Sequence, residues 1–189
     1  MSGRSTLRRG ATLAALSALL AAPLSAADTR PPELRGVGIE QRLNQQVPLD
    51  LPFRNEAGET VTLGSLMRGK PVILSLVYYQ CPMLCTLTLN GLVSALRAMP
   101  FDVGQEFDVI TVSFDGRETP ALAAQKKATY LETYRRPGAA AGWHFLTGDQ
   151  ASIDRLAAAV GFTYTYMPER NEFAHAAGIT VLTPAGVLA

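Results

Sequence analysis

The 189-residue chain is long enough for one domain with appendages and too short for two full ones. With 48% hydrophobic and 17% charged residues it can bury a sizeable core, which excludes a disordered chain, and a formal charge of +1 offers no basic field for gripping nucleic acid. Two cysteines and two histidines rule out a disulfide scaffold and a four-cysteine zinc site, so soft-ligand chemistry rests on Cys81, Cys85, His144 and His175.

Residues 1–27 read as a secretory signal. Arg4, Arg8 and Arg9 precede an apolar run from Ala11 to Ala22, and Ser25, Ala26 and Ala27 supply the small residues of a cleavage site before Asp28. The run is shorter than the roughly 20 residues that span a bilayer, which favours cleavage and a periplasmic protein over a permanent inner-membrane tether. Removing three of the 17 basic residues and no acid leaves 14 against 16, a mature charge of about −2. In an oxidising compartment the plain expectation for two nearby cysteines is a structural disulfide.

Residues 28–46 are polar, contain Pro31 and Pro32, and predict a linker leading into a domain over 47–189. A hairpin should open that domain: Leu49, Leu51 and Phe53 alternate, 55–58 offers turn chemistry, and Val61 and Leu63 alternate again. Val72 to Tyr78 is a continuous apolar run suited to a central strand buried on both faces. Leu89, Leu92, Leu96 and Met99 then mark one face of a helix that Pro100 stops. A β-branched strand over 108–114 precedes a helix with Thr119 as N-cap, Pro120 at its first position and an end near Arg136. A short strand over 143–146, a helix through Ile153, Leu156 and Val160 begun by Asp149 or Ser152, and strands over 162–166 and 177–182 complete the pattern. Strands alternating with helices in this way predict an α/β sheet with right-handed crossovers and helices on both faces. After Thr183-Pro184-Ala185-Gly186 no room is left for a further strand, so either final elements lie beyond Ala189 or an edge strand stays unpaired.

Cys81-Pro82-Met83-Leu84-Cys85 sets two sulfurs at i and i+4 where a buried strand gives way to a helix. If helical, the pair shares a face, and the N-H groups and dipole at the helix mouth favour thiolates. A disulfide here would close almost no chain and add little stability. Two thiolates with one imidazole suit Cu(I) better than structural zinc, which wants a fourth protein ligand. His175, following the polar loop 168–172 and opening a strand, is the leading third ligand, although a lone histidine is more often a surface or core residue. His144 reads as strand packing and Met83 as core gap-filling. Asp115 and Glu118 read as turn and capping residues, a role for Asp115 in supporting a ligand from behind being the less favoured reading, and Tyr78 and Tyr79 as walls beside the cysteines.

Tyr78-Tyr79-Gln80-Cys81-Pro82-Met83-Leu84-Cys85, with Gly69-Lys70-Pro71 upstream and His175 downstream, resembles the Sco/SenC family of copper proteins. Val112-Ser113-Phe114-Asp115 with Glu118-Thr119-Pro120 resembles the family's strand-turn-helix segment, with Gly116 where many relatives carry proline. Ala174-His175-Ala176 and Val181-Leu182-Thr183-Pro184 resemble its histidine strand, and the likeness runs from about Val47 to the end. It implies a thioredoxin-like mixed sheet flanked by helices, whose last strand and helix would fall beyond Ala189. It further implies copper held by Cys81, Cys85 and His175, and a role in building the dinuclear copper site of cytochrome c oxidase, with the copper-bearing subunit as partner.

Three activities remain in play at this level. A copper metallochaperone needs both sulfurs and the imidazole. A thiol-disulfide oxidoreductase would use Cys81 and Cys85 as a redox pair, be recycled by a thioredoxin-like reductant, and ignore His175. A thiol peroxidase needs a cationic partner for its cysteine, and no lysine or arginine flanks either one.

Overall fold

The computed structural model describes residues 31–189, so the signal expected over 1–27 and the first three residues of the expected linker lie outside it. The rest of that linker is more ordered than its composition suggests. Residues 38 and 39 form a short strand, β1 (Gly38–Ile39), antiparallel to a later strand, and Gln46 bridges to Val187. The backbone at 38–40 and 44–46 thus finds partners far along the chain, a tertiary pairing that no local pattern announces.

β2 (Pro52–Arg54) and β3 (Thr60–Thr62) form the expected hairpin, with Phe53 opposite Val61. Its turn is built by Asn55, whose side-chain oxygen accepts from the N-H groups of Ala57 and Glu59. β4 (Val72–Val77), β5 (Asp108–Ser113) and β6 (Trp143–Leu146) are parallel and carry the buried runs foreseen for them. Helix α1 (Leu84–Ala98) joins β4 to β5. α2 (Pro120–Tyr134) and the four-residue α3 (Ala139–Gly142) join β5 to β6. Thr119 caps α2 by accepting from the Leu122 N-H, and Asp149 caps α4 (Gln150–Ala159) by accepting from the Ser152 N-H.

After α4 the chain leaves the central sheet. β7 (Phe162–Met167) and β8 (Glu172–His175) form a hairpin, and β1 pairs with its outer side to complete a separate three-stranded sheet. The expected strand over 177–182 begins later, as β9 (Ile179–Leu182), antiparallel to β4, giving the central order β6-β5-β4-β9. This mixed sheet with helices on its faces is thioredoxin-like. The outer edge of β9 is not left bare: the turn after Thr183 brings Leu188 to bridge Leu182, and the Ala189 N-H donates to the Val181 carbonyl.

The core fills both faces of the central sheet with Leu51, Phe53, Leu74, Ile110, Phe114, Trp143, Phe145 and Ile153, all close to fully buried. Among the described residues the buried side-chain polar atoms are paired, His144 Nε2 excepted. Ser75 and Thr111 hydroxyls meet at 3.0 Å, the Trp143 indole N-H donates to Thr111 at 3.1 Å, and buried Asp108 accepts both arms of the Arg68 fork.

Gly161 ends α4 with φ +70°, and a Cβ there would run into the Glu40 carbonyl. The same contact docks the N-terminal segment, because the Glu40 N-H donates to the Gly161 carbonyl at 2.8 Å. Gly161→Ala should therefore destabilise the protein by more than about 1 kcal/mol in urea unfolding, with the loss concentrated in protection of the β1–β7 pairing by hydrogen exchange.

Candidate metal centre

The cysteine loop begins where β4 runs out of sheet. The Phe114 N-H still donates to Val77, but beyond it the N-H groups of Tyr79 and Gln80 have no strand partner. Glu118 takes both, one on each carboxylate oxygen, at 2.8 Å. The Ser113 hydroxyl donates to the same carboxylate at 2.6 Å. Burial pushes the Glu118 carboxyl above its usual value even against these donors. The Cys81 N-H then closes a turn on Tyr78.

α1 starts at Leu84, so Cys81 lies before the helix and the two cysteines do not share a helical face in the way their spacing suggests. What unites them is capping. Met83 sits at the N-cap with no side-chain cap bond, and the Cys85 N-H is taken by the Cys81 sulfur at 3.3 Å. Cys85 Sγ in turn accepts from the Tyr78 N-H at 3.3 Å. Both cysteines are free thiols.

His175 reaches them by a route the sequence pattern hid. It does not open the last strand. It closes β8, which folds back on β7 through a turn where Asn171 adopts a left-handed φ of +51°. β9 must start with Ile179 opposite Ser75, near the end of β4. The short crossing from His175 to Ile179 therefore lays the imidazole over the cysteine loop, well within the reach of about 3.5 Å per residue. Nε2 stands 3.5 Å from Cys85 Sγ and 3.9 Å from Cys81 Sγ, and the three donor atoms lie within 4.8 Å of one another. Among the described residues this is the only such cluster.

The tautomer follows from the other ring nitrogen. Nδ1 lies 2.7 Å from the Ala176 carbonyl, which can only accept, so Nδ1 carries the hydrogen and Nε2 directs a lone pair at the sulfurs. Burial lowers the His175 pKa from its ordinary value, outweighing that hydrogen bond and favouring the neutral ring that a metal requires. Tyr78 and Phe114 fix the ring in place, Tyr78 edge-on at 5.7 Å and Phe114 at 5.2 Å between centroids.

The helix mouth was expected to favour thiolate at both cysteines, but the sulfurs are not equivalent. Burial raises the Cys81 thiol, but the N-H groups of Cys85 and Met83 and the Tyr78 hydroxyl outweigh it and leave it below its usual range. At Cys85 burial wins, reinforced by the neighbouring Cys81, and the thiol is pushed far up despite the Tyr78 N-H. First-row d10 ions bond to thiolate sulfur at about 2.3 Å and to imidazole nitrogen at about 2.0 Å. Trigonal or tetrahedral coordination then spaces sulfur from nitrogen by about 3.5 to 3.7 Å, close to the 3.5 and 3.9 Å found. Two sulfurs and one neutral imidazole in an apolar, aromatic surround fit a soft monovalent ion better than a hard one.

The other candidates fall elsewhere. His144 sits in β6 opposite Ile110, outside the cluster, with a buried Nε2 that has no hydrogen-bond partner. Met83, expected to fill a gap in the core, is 64% exposed, because the capping turn projects it outward. Tyr79 is structural, its hydroxyl donating to main-chain carbonyls of Thr111 and Leu146 in the sheet. Glu118, read as a capping residue, instead holds the cysteine loop, a role with no local signature because its partners lie nearly 40 positions away in sequence. Arg117, which carried no expectation, binds Asp115.

A thioredoxin-like domain with a Cys-Cys-His cluster at the carboxyl ends of its parallel strands defines a class of soft-metal or thiol-redox proteins. The sequence profile of the SCO1/SenC family matches residues 40–189, and the chain belongs to that family. The structure is similar to that of Bradyrhizobium japonicum ScoI with copper bound, at 26% identity and a TM-score of 0.59, covering 78% of this chain and 87% of that one. A protein from Aquifex aeolicus named for electron transfer is similar at 26% identity and a TM-score of 0.64, covering 78% and 82%. A Stutzerimonas stutzeri protein named for copper binding is 26% identical over 143 residues, which are 74% of this chain and 61% of that protein's length.

In a proton-detected titration of the metal-free protein, His175 should show a midpoint below about 6.5, the value of a free imidazole. Because the unfolded ring binds its proton at higher pH than the folded one, this residue makes stability fall as pH drops from about 6.5 toward the folded midpoint and leaves it flat above. A midpoint at or above 6.5 would contradict the buried, neutral ring.

Proposed function

We propose that the protein is an exported copper metallochaperone that holds one copper ion through Cys81, Cys85 and His175 and delivers it to the dinuclear copper site of cytochrome c oxidase. The observation that carries this reading is the approach of a lone-pair-bearing Nε2 to within 3.5 and 3.9 Å of two sulfurs drawn from a different part of the chain. Membership of the SCO1/SenC family and likeness to a copper-bound ScoI support it. Copper is the cargo. The protein's part is to present two sulfurs and a neutral imidazole, to keep the ring's proton on Nδ1 with the Ala176 carbonyl, and to exclude competing water with Tyr78, Phe114 and Phe173. Export through the N-terminal signal would place it in the periplasm, where the copper-bearing oxidase subunit is accessible.

Titrating the reduced protein with Cu(I) against a competing chelator should give one tight equivalent, with one sulfur-nitrogen set in X-ray absorption. His175→Ala should weaken it by at least about tenfold, as loss of one ligand or its support commonly does. No uptake, or indifference to that change, rejects the reading.

The inequality of the two thiols favours a second activity at the same place, thiol-disulfide exchange. The Cys81 thiolate would attack a client disulfide and release one client thiolate. Cys85, its proton passing to the released client thiolate, would then attack Cys81 Sγ and release the second, leaving the Cys81–Cys85 disulfide to be reduced by a thioredoxin-like dithiol. This two-electron exchange should need both cysteines and proceed at an unchanged rate in His175→Ala, and Cys81 should be alkylated faster than Cys85 by iodoacetamide. Equal alkylation rates would remove its basis. Since only the reduced pair offers thiolates, oxidation would also switch off copper loading.

A further inference from the structure

The histidine ligand stands on a hairpin that shares no strand pairing with the sheet bearing the cysteine loop. Ring packing of Tyr78 and Phe114 on Phe173 and a Gly116–Gln150–Tyr164 hydrogen-bond link help join the two, and Arg117 is the side chain that reaches the hairpin's turn. The Arg117 fork grips Asp115 with Nε on Oδ1 and Nη2 on Oδ2, each at 2.7 Å, and its own main-chain N-H donates to Oδ1 at 3.0 Å. Its remaining arm, Nη1, donates to Asn171 Oδ1 at 2.7 Å and to the Tyr166 hydroxyl at 3.3 Å, and that hydroxyl donates to the same Asn171 oxygen at 2.8 Å. The planar cation also lies over the rings of Tyr166, 4.9 Å to the centroid, and Phe173, 5.5 Å.

Every one of those partners except Asp115 is on the hairpin: Tyr166 in β7, Asn171 at its turn, Phe173 in β8. Phe173 lies two residues before His175 and so on the same face of β8. On the other side, Asp115 is buried. Its N-H donates to the Ser113 hydroxyl, which donates to Glu118, whose carboxylate holds the N-H groups of Tyr79 and Gln80 just ahead of Cys81. A continuous polar path therefore runs from the hairpin turn to the residue preceding the first sulfur, and it crosses at Arg117, while the link through Gln150 meets β7 at Tyr164 and not at the turn. The side chain is 53% exposed and lies between two open clefts.

Resting on the metal-site reading above, we infer that Arg117 is a positioning residue for the His175 ligand, a latch that holds the β7–β8 hairpin at the height where the imidazole meets both sulfurs. It contacts neither sulfur nor imidazole and acts only through the hairpin. Lysine at this position would keep the charge on Asp115 but lose the fork that reaches Asn171 and the flat cation over the two rings.

The test measures Cu(I) affinity by chelator competition and amide hydrogen exchange in the metal-free protein, for wild type, Arg117→Met, Arg117→Lys, His175→Ala and the Arg117→Met/His175→Ala pair. Arg117→Met should weaken Cu(I) binding by about tenfold, and Arg117→Lys should not restore it. In the His175→Ala background Arg117→Met should cost nothing further, because the ring it positions is gone. Exchange should quicken across residues 164–175 while the β4 and β5 amides keep their protection. Wild-type affinity and exchange in Arg117→Met would overturn the inference. So would an additive loss in the double variant, or faster exchange throughout the central sheet, each of which marks a general structural role. If the wild-type protein binds no copper, the metal-site reading fails by itself and the exchange pattern alone decides whether the latch exists.

Discussion

Where β4 leaves the sheet, the N-H groups of Tyr79 and Gln80 lose the ladder that satisfied their predecessors, and that of buried Tyr79 cannot be left to water. Glu118 takes both, and the site follows from that. With its backbone tied to a carboxylate anchored by Ser113, the loop can turn sharply enough for Cys81 to put its sulfur over the N-terminus of α1. There the sulfur supplies the cap that Met83 does not, and Cys85 in the first turn is brought alongside. A buried acid is costly unless its oxygens are hydrogen-bonded, and here each oxygen accepts from the loop it organises.

The same logic extends outward. Ser113 links Glu118 to the Asp115 backbone, and Asp115 meets Arg117. The aromatic surround of Tyr78, Phe114, Phe173 and Tyr164 fills the space between the central sheet and the hairpin with edge and tilted ring contacts. Polar path and aromatic wedge do different work: the rings supply apolar burial without much directional preference, while the hydrogen bonds choose one alignment among those the rings would accept. A soft-metal site needs both, since ligand distances must hold within a few tenths of an ångström in a place dry enough to keep an imidazole neutral.

Much of the frame was legible. β4, β5 and β6 announced themselves as apolar or β-branched runs, α2 and α4 by Thr119 and Asp149 at their caps, and the β2–β3 hairpin by alternation around a turn. These signals are local, and each element's periodicity reflects the surface it buries. What was misread depended on partners far away. β1 pairs across more than 120 positions with β7, and no pattern within two residues of strand can encode that. β8 is a four-residue strand whose existence rests on the left-handed Asn171 and on having β7 to fold against.

The sequence by itself determined which atoms could bind a soft ion, because the chain holds only two cysteines and two histidines, and it set the cysteine pair at the exit of a buried strand. It favoured His175 over His144 but did not show how the imidazole would reach the sulfurs, nor that the sulfurs would differ in acidity. Those were settled by tertiary structure: antiparallel addition of β9 beside β4 carries His175 over the loop, while parallel addition of β6 beside β5 keeps His144 in the sheet. Burial and N-H donors are shared unequally between two sulfurs only once strand, helix and hairpin have closed on them, which is why the candidate ligands could be named from composition but their geometry could not.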